Sequence, residues 1–183
     1  MSRRDDLLDA VTDHVLEHGL IDLTLRPVAA AVGTSDRMLI YHFGSREGLL
    51  GAVVEAVERG ERAVMADFLA AHDDPFEAGA AFWTHVADRA QIFAPLFFEL
   101  SGTAMQGKPY AASLRQWLAT GWVEELADGF RRSGFGDEQA VRLARLSLGT
   151  ARGLLFELAA TGDRAATDDA MAEFTAMVRT ASR

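Results

Sequence analysis

Apolar residues recur along this chain at three- and four-residue spacing, and no stretch alternates every second residue as a half-buried strand would. Leu7, Leu8, Val11 and Val15 mark one face of a helix over Arg3–His18, and Gly19 supplies a left-handed stop. Thr24 starts the next helix, with its hydroxyl placed to accept from a first-turn N–H. Pro27 lies in that first turn, where a missing donor costs little. This helix ends at Val32-Gly33. Ser35 caps a third, from Asp36 to about His42, and Gly44-Ser45 breaks it. Ser45 caps a fourth, which carries Glu47 in its first turn, a favourable place for a carboxylate in the helix dipole.

The predicted helices then lengthen. The fourth extends to Ala71 and stops at His72-Asp73-Asp74-Pro75. A fifth covers Phe76 to about Phe93, and Pro95 ends or kinks it. A short sixth runs from Leu96 to Met105, before the loop Gln106-Gly107-Lys108-Pro109. A seventh spans Tyr110–Arg132 and breaks at Ser133-Gly134-Phe135-Gly136. Asp137 caps an eighth to Ala160, which Thr161-Gly162 ends, and Thr167 caps the last, to about Thr180. About nine helices with no internal repeat predict an all-α chain: a three-helix N-terminal helix-turn-helix and a C-terminal helical bundle.

Composition narrows the class. In 183 residues, 49% hydrophobic content is enough for a core. The longest run without Asp, Glu, Lys or Arg is Ala78–Ala87, well short of the ~18 apolar residues of a membrane span. Arg3-Arg4-Asp5-Asp6 is followed by an amphipathic stretch and predicts no secretory leader, so a cytoplasmic protein is expected. No cysteine is present, which excludes disulfides and thiolate chemistry. The net charge of -9 means that bulk electrostatics will not draw this chain to DNA or anionic lipid. Any nucleic-acid contact has to rest on donors placed locally.

The first forty-odd residues supply such a placement. Ala29-Ala30-Ala31 keeps the second helix slim, Gly33 makes the sharp turn, and Ser35 fixes where the third helix begins. The first turn of that helix, Asp36-Arg37-Met38, can then enter a major groove. Arg26, Ser35, Arg37, Tyr41 and His42 are donors on the groove side. Thr24, Ser45 and Arg46 sit at helix starts, where free N–H groups and the dipole attract phosphate. Asp36 can accept from a cytosine amino group but otherwise repels phosphate. Residues 1–46 hold five basic and seven acidic side chains, so the donors work against their surroundings.

These residues form a family pattern. Leu23-Thr24-Leu25-Arg26, Val28-Ala29, Val32-Gly33, Ser35, and Leu39-Ile40-Tyr41-His42-Phe43-Gly44-Ser45-Arg46-Glu47-Gly48-Leu49-Leu50 resemble, in order and spacing, the tetracycline-repressor (TetR) family. The motif covers about residues 3–55. The resemblance implies a helix-turn-helix domain over 1–48, with the motif itself at about 24–43, and a ligand-binding and dimerisation domain over 49–183. It implies that the third helix reads bases and the start of the fourth grips phosphate. Arg26 falls at a base-contacting position and Tyr41 and His42 at sugar-phosphate positions, while Arg46 stands where the family usually has a phosphate-binding Lys. Ile40 departs from a frequent Tyr, Thr34 from Val, and Asp36-Arg37-Met38 is an unusual first turn.

The C-terminal part is rich in aromatics. Phe82, Trp83, Phe97, Phe98, Met105, Trp117, Trp122 and Phe156 are candidates for an apolar pocket, with His85, Glu99, Gln116 and Arg152 as polar orienters. Aromatics at helical spacing also serve as plain core. Ala140, Ala144, Ser147 and Ala151, with Gly149 and Gly153 beside them, make a small-residue face in the eighth helix. Met171, Phe174, Met177 and Val178 lie in the ninth. A four-helix interface between two chains is expected there, with close packing inside one chain as the alternative. His14-Val15-Leu16-Glu17-His18 fits an H-x-x-E-H zinc pattern but has no evident third ligand. No catalytic residue, metal or cofactor is expected. The expected partners are an operator duplex, a second copy and a small apolar or aromatic effector. Effector binding would favour a spacing of the recognition helices that no longer fits half-sites about 34–36 Å apart. The competing reading is a helical binding module that has lost DNA binding.

Overall fold

The computed structural model describes residues 2–18, 24–108, 115, 118 and 121–180. Gly19, Pro109, Tyr110, Gln116 and Trp117, used above as a helix stop, loop end, helix start, orienter and pocket wall, lie outside the described residues. Among the described residues there are nine helices and no strand. They are α1 (Arg3–His18), α2 (Leu25–Ala31), α3 (Asp36–Phe43), α4 (Arg46–Ala71), α5 (Pro75–Asp88), α6 (Ala90–Met105), α7 (Val123–Arg132), α8 (Asp137–Thr161) and α9 (Arg164–Thr180). None is long and apolar enough to cross a membrane.

Four boundaries differ from the sequence reading. The fifth helix ends at Asp88, and Arg89 leaves helical geometry with φ -108° and ψ 1°. Pro95 lies inside α6 instead of ending a helix. There it forfeits one backbone bond near the helix start, a smaller loss than a break in mid-helix. The single helix expected over 110–132 is interrupted, because Gly121-Trp122 form a turn and α7 begins at Val123. The Arg62 guanidinium donates to the Gly121 carbonyl at 2.9 Å, which satisfies a backbone acceptor in that turn. The last helix starts four residues earlier than expected. Asp163 caps it, accepting from Ala166 N–H at 3.1 Å, while Thr167 is buried and donates its hydroxyl to Asp163 O and Arg164 O.

The chain divides into two compact units, residues 1–60 with 95–117 and residues 61–94 with 118–183. In the first, the predicted apolar face of α1 (Leu7, Leu8, Val11, Val15) is buried, as are Val28 and Ala29 of α2, Leu39 and Phe43 of α3, and Leu49, Leu50, Val53 and Val54 of α4. Each such Leu or Val contributes about 1.5–3 kcal/mol on leaving water. The Arg4 guanidinium stacks over the Phe43 ring at 5.0 Å and ties α1 to α3. Ser2 and Asp5 cap α1 reciprocally, and the donors from Ser2 hold the Asp5 carboxyl below its ordinary range.

The second unit has two apolar clusters. One joins Val123, Ala127, Phe135, Ala140, Ala144 and Val178, with Phe76, Phe130 and Phe174 packed against it. The other joins Trp83, Ala87, Ala90 and Leu158. Beside the second cluster, Trp83 Nε1 donates to Asp168 Oδ1 at 2.6 Å, and Arg164 bridges Asp168 at 2.7 Å and Asp88 at 2.5 Å. Burial opposes ionisation of Asp168, but these donors outweigh it and the carboxyl titrates below its ordinary range.

Candidate nucleic-acid interface

The turn between α2 and α3 is held by its backbone. Val32 N–H donates to Val28 O at 3.0 Å and Thr34 N–H to Ala29 O at 2.8 Å, while Gly33 takes φ +68°, a left-handed value that a side chain would strain. Of the three alanines expected to slim α2, only Ala29 is buried, whereas Ala30 and Ala31 face solvent. Ser35 caps α3 in extended geometry, its hydroxyl accepting from Met38 N–H at 3.3 Å. Asp36 turns its carboxylate back onto Arg37 N–H at 2.8 Å. Two first-turn N–H groups are thus taken by the protein's own oxygens. Thr24 occupies the N-cap of α2, but its hydroxyl makes no capping bond.

The exit from α3 is as tightly defined. Gly44 (φ +79°) donates to Ile40 O at 2.8 Å, and Ser45 Oγ accepts from Gly48 N–H at 2.9 Å to start α4. A Cβ at Gly48 would lie 2.2 Å from the Phe43 carbonyl oxygen, so only glycine allows this approach.

Along α3, Leu39 and Phe43 point into the core and Arg37, Met38 and Tyr41 point away from it. Tyr41 is 78% exposed and Met38 39%. His42 is half-buried, edge-on to the Tyr41 ring at 5.1 Å, with no hydrogen bond to its buried Nε2. Thr24 and Arg26 are exposed, and Arg46 reaches Glu47 at 4.0 Å. In α1, His14 and His18 stack at 4.4 Å, and His18 Nδ1 faces the His14 carbonyl at 3.1 Å.

The expected pocket residues disperse. Phe82, His85 and Trp122 gather in the second unit, with ring centroids of Phe82 6.1 Å from His85 and 5.4 Å from Trp122. Phe68 of α4 joins them, 6.5 Å from Phe82 and 6.2 Å from His85. Sequence reasoning missed it because it stands apart from the aromatic-rich middle helices. The mostly buried Glu61 accepts from or pairs with His85 Nε2 at 2.9 Å and Arg89 at 3.4 Å. Trp83 instead serves the core beside Asp168, and Phe97 and Phe98 belong to the first unit. Met105 (79%) and Phe156 (59%) are exposed, and Arg152 donates to Leu118 O at 3.0 Å. An open hollow of about 510 Å³ in the second unit is lined by Ala87, Asp88, Gln91, Arg164 and the end of α8, none of them expected pocket residues.

The residues of the expected dimer face are divided between core and surface. Ala140, Ala144 and Val178 are buried in the chain's own core, where small side chains let α7 approach α8. Met171 and Phe174 lean on the two clusters, and Ser147 and Ala151 are half-buried. The other face of α8 exposes Leu146, Gly149, Gly153 and Phe156, and α9 exposes Met177. Among the described residues, a Cβ added at Gly149 or Gly153 would meet nothing within 4 Å.

The model of the tetR family of bacterial regulatory proteins matches residues 7–53. The HTH-type transcriptional regulator BetI of Stenotrophomonas maltophilia (strain R551-3) is 30% identical over 126 residues, 68% of this chain, and the match spans only 58% of that relative's length. A transcriptional regulator from Rhodococcus sp. Rha1 shares the fold at a TM-score of 0.73 and 20% identity, covering 98% of this chain and 97% of its own. BioQ, solved with its double-stranded DNA operator, does so at 0.63 and 20%, covering 98% and 99%. With its helix-turn-helix inside the matched segment and its helical architecture shared end to end, the chain belongs to the tetR family of bacterial regulatory proteins.

Proposed function

We propose that this chain is a homodimeric transcriptional repressor that binds an operator through α3 and is released by a small apolar or aromatic effector. The observation that carries the reading is the outward face of α3. Arg37, Met38 and Tyr41 project from a helix whose start and end are both locked by side-chain caps and glycine turns. A rigid helix with a donor-bearing face turned to solvent suits a major groove. Arg26 reaches bases or backbone beside it, His42 supports Tyr41, and Ser45 and Arg46 at the start of α4 contact phosphate. Thr24 offers its uncommitted hydroxyl in the same way. Ser35 and Asp36 act mainly by holding the first turn of α3 in place.

The dimer forms through the exposed face of α8 and Met177 of α9. A glycine inside a helix costs about 1 kcal/mol relative to alanine, and among the described residues nothing lies close enough to need Gly149 or Gly153. Close approach of the same helix from a second copy gives both a use, with Leu146 and Phe156 packing beside them. The effector lies against Phe68, Phe82, His85 and Trp122, where ring faces provide apolar contact and Glu61 provides an acceptor. Its binding favours a dimer geometry that no longer spans two half-sites.

The test is fluorescence anisotropy with duplex DNA from upstream of the gene, at two salt concentrations and beside a scrambled duplex. Specific binding with two chains per site, weakening steeply with salt, is the expected result. A folded dimer that binds no duplex at low salt would leave a helical binding module without DNA function.

A further inference from the structure

We infer that Arg37 is the base-reading side chain of α3 and that each operator half-site carries a guanine for it, with a thymine contacted by Met38. This inference rests on the DNA-binding reading and names the sequence that reading leaves open. Asp36 and Arg37 are neighbours in the first turn, yet the structure separates their tasks. The Asp36 carboxylate is held at 2.8 Å by the backbone N–H of Arg37, at the positive end of the helix, and so is committed to its own helix. Its Oδ1 is thereby used within the helix and its charge repels phosphate, so the donor of this turn is Arg37. The Arg37 side chain is exposed and makes no ion pair with Asp36, and Tyr41 projects from the same face one turn later.

The chemistry of those side chains sets the bases. A guanidinium offers two parallel N–H donors, which match the O6 and N7 acceptors that guanine alone presents side by side in the major groove. Met38, 39% exposed beside Arg37, has no donor and packs on apolar surface, and the thymine methyl is the apolar feature of that groove. Tyr41 ends in one hydroxyl and contacts backbone, so it adds affinity with little base preference.

The experiment is repeated selection by the full-length protein from a pool of duplexes with a random central segment, followed by sequencing. Wild type, Arg37→Ala and Arg37→Lys are run in parallel, and Met38→Ala is tested on the selected duplex with thymine replaced by deoxyuridine. The wild type should enrich one guanine per half-site. Arg37→Ala and Arg37→Lys should both relax that position alone, with affinity for the selected duplex down about tenfold or more. Arg37→Lys should keep most of the salt dependence, because it keeps the charge. Removing the thymine methyl should weaken wild type and leave Met38→Ala unchanged. Retention of the same guanine by both Arg37 variants overturns the assignment while leaving DNA binding intact. A wild-type pool with no enrichment overturns the DNA-binding reading itself.

Discussion

Gly48 is under a constraint that Gly60 of the same helix escapes. Its Cβ position falls 2.2 Å from the Phe43 carbonyl, a backbone atom that cannot swing aside, whereas a Cβ at Gly60 meets nothing within 4 Å. Gly48→Ala is therefore predicted to cost about 1–3 kcal/mol and to weaken operator binding by displacing the end of α3. Gly60→Ala should be neutral or stabilising by up to ~1 kcal/mol, and thermal denaturation of the pair separates the two cases. Asp168 makes a pH prediction. Its folded-state value is depressed by Arg164 and Trp83, so the stability it contributes is present above the unfolded value of about 3.9 and is lost as pH falls through the lower folded value. Denaturant titrations followed by tryptophan fluorescence should show Asp168→Asn less stable than wild type at neutral pH. The gap should narrow below about pH 4.

Among the helices, caps separate what composition treats alike. Ser35 and Thr24 are both hydroxyl residues at an N-cap, but only Ser35 accepts from a first-turn N–H. Ser35→Ala should cost about 1 kcal/mol by denaturant titration, and Thr24→Ala much less. The helices that were legible in the sequence are those bounded by local signals. Gly33, Ser35, Gly44 and Ser45 frame α3 because each acts on atoms within four residues of itself. Pro95 and Thr167 misled for the same reason in reverse. A proline inside a helix can forfeit one ladder bond without ending it, and a buried threonine can return its hydroxyl to a carbonyl one turn back.

Across the assembled chain, the small residues of α8 divide into two populations that share one spacing. Ala144 is 0% exposed against α7, while Gly149 and Gly153 lie on open surface with Leu146 and Phe156. Phe156→Glu is predicted to turn the dimer into a folded monomer in sedimentation, with its helical circular dichroism kept. Operator affinity should then fall by about 10²–10⁴, because the second half-site no longer binds as part of one body. Ala144→Leu should instead destabilise each chain by about 1–3 kcal/mol through overpacking. A dimer that survives Phe156→Glu and Leu146→Glu rules out this face.

The all-α class, the helix-turn-helix and most helix starts followed from the order of residues, because helix periodicity, capping and glycine turns are written within one or two turns of the chain. So was the identity of the exposed α3 donors. Side-chain fate was different. Whether Ala140 meets α7 or a second copy, and whether Trp83 lines a hollow or anchors Asp168, depend on which helices come together. Contacts such as Phe68 with Phe82, or Glu61 with His85, join positions many turns apart, and periodicity carries no information about them. Only the packing of the folded helices decides those pairings.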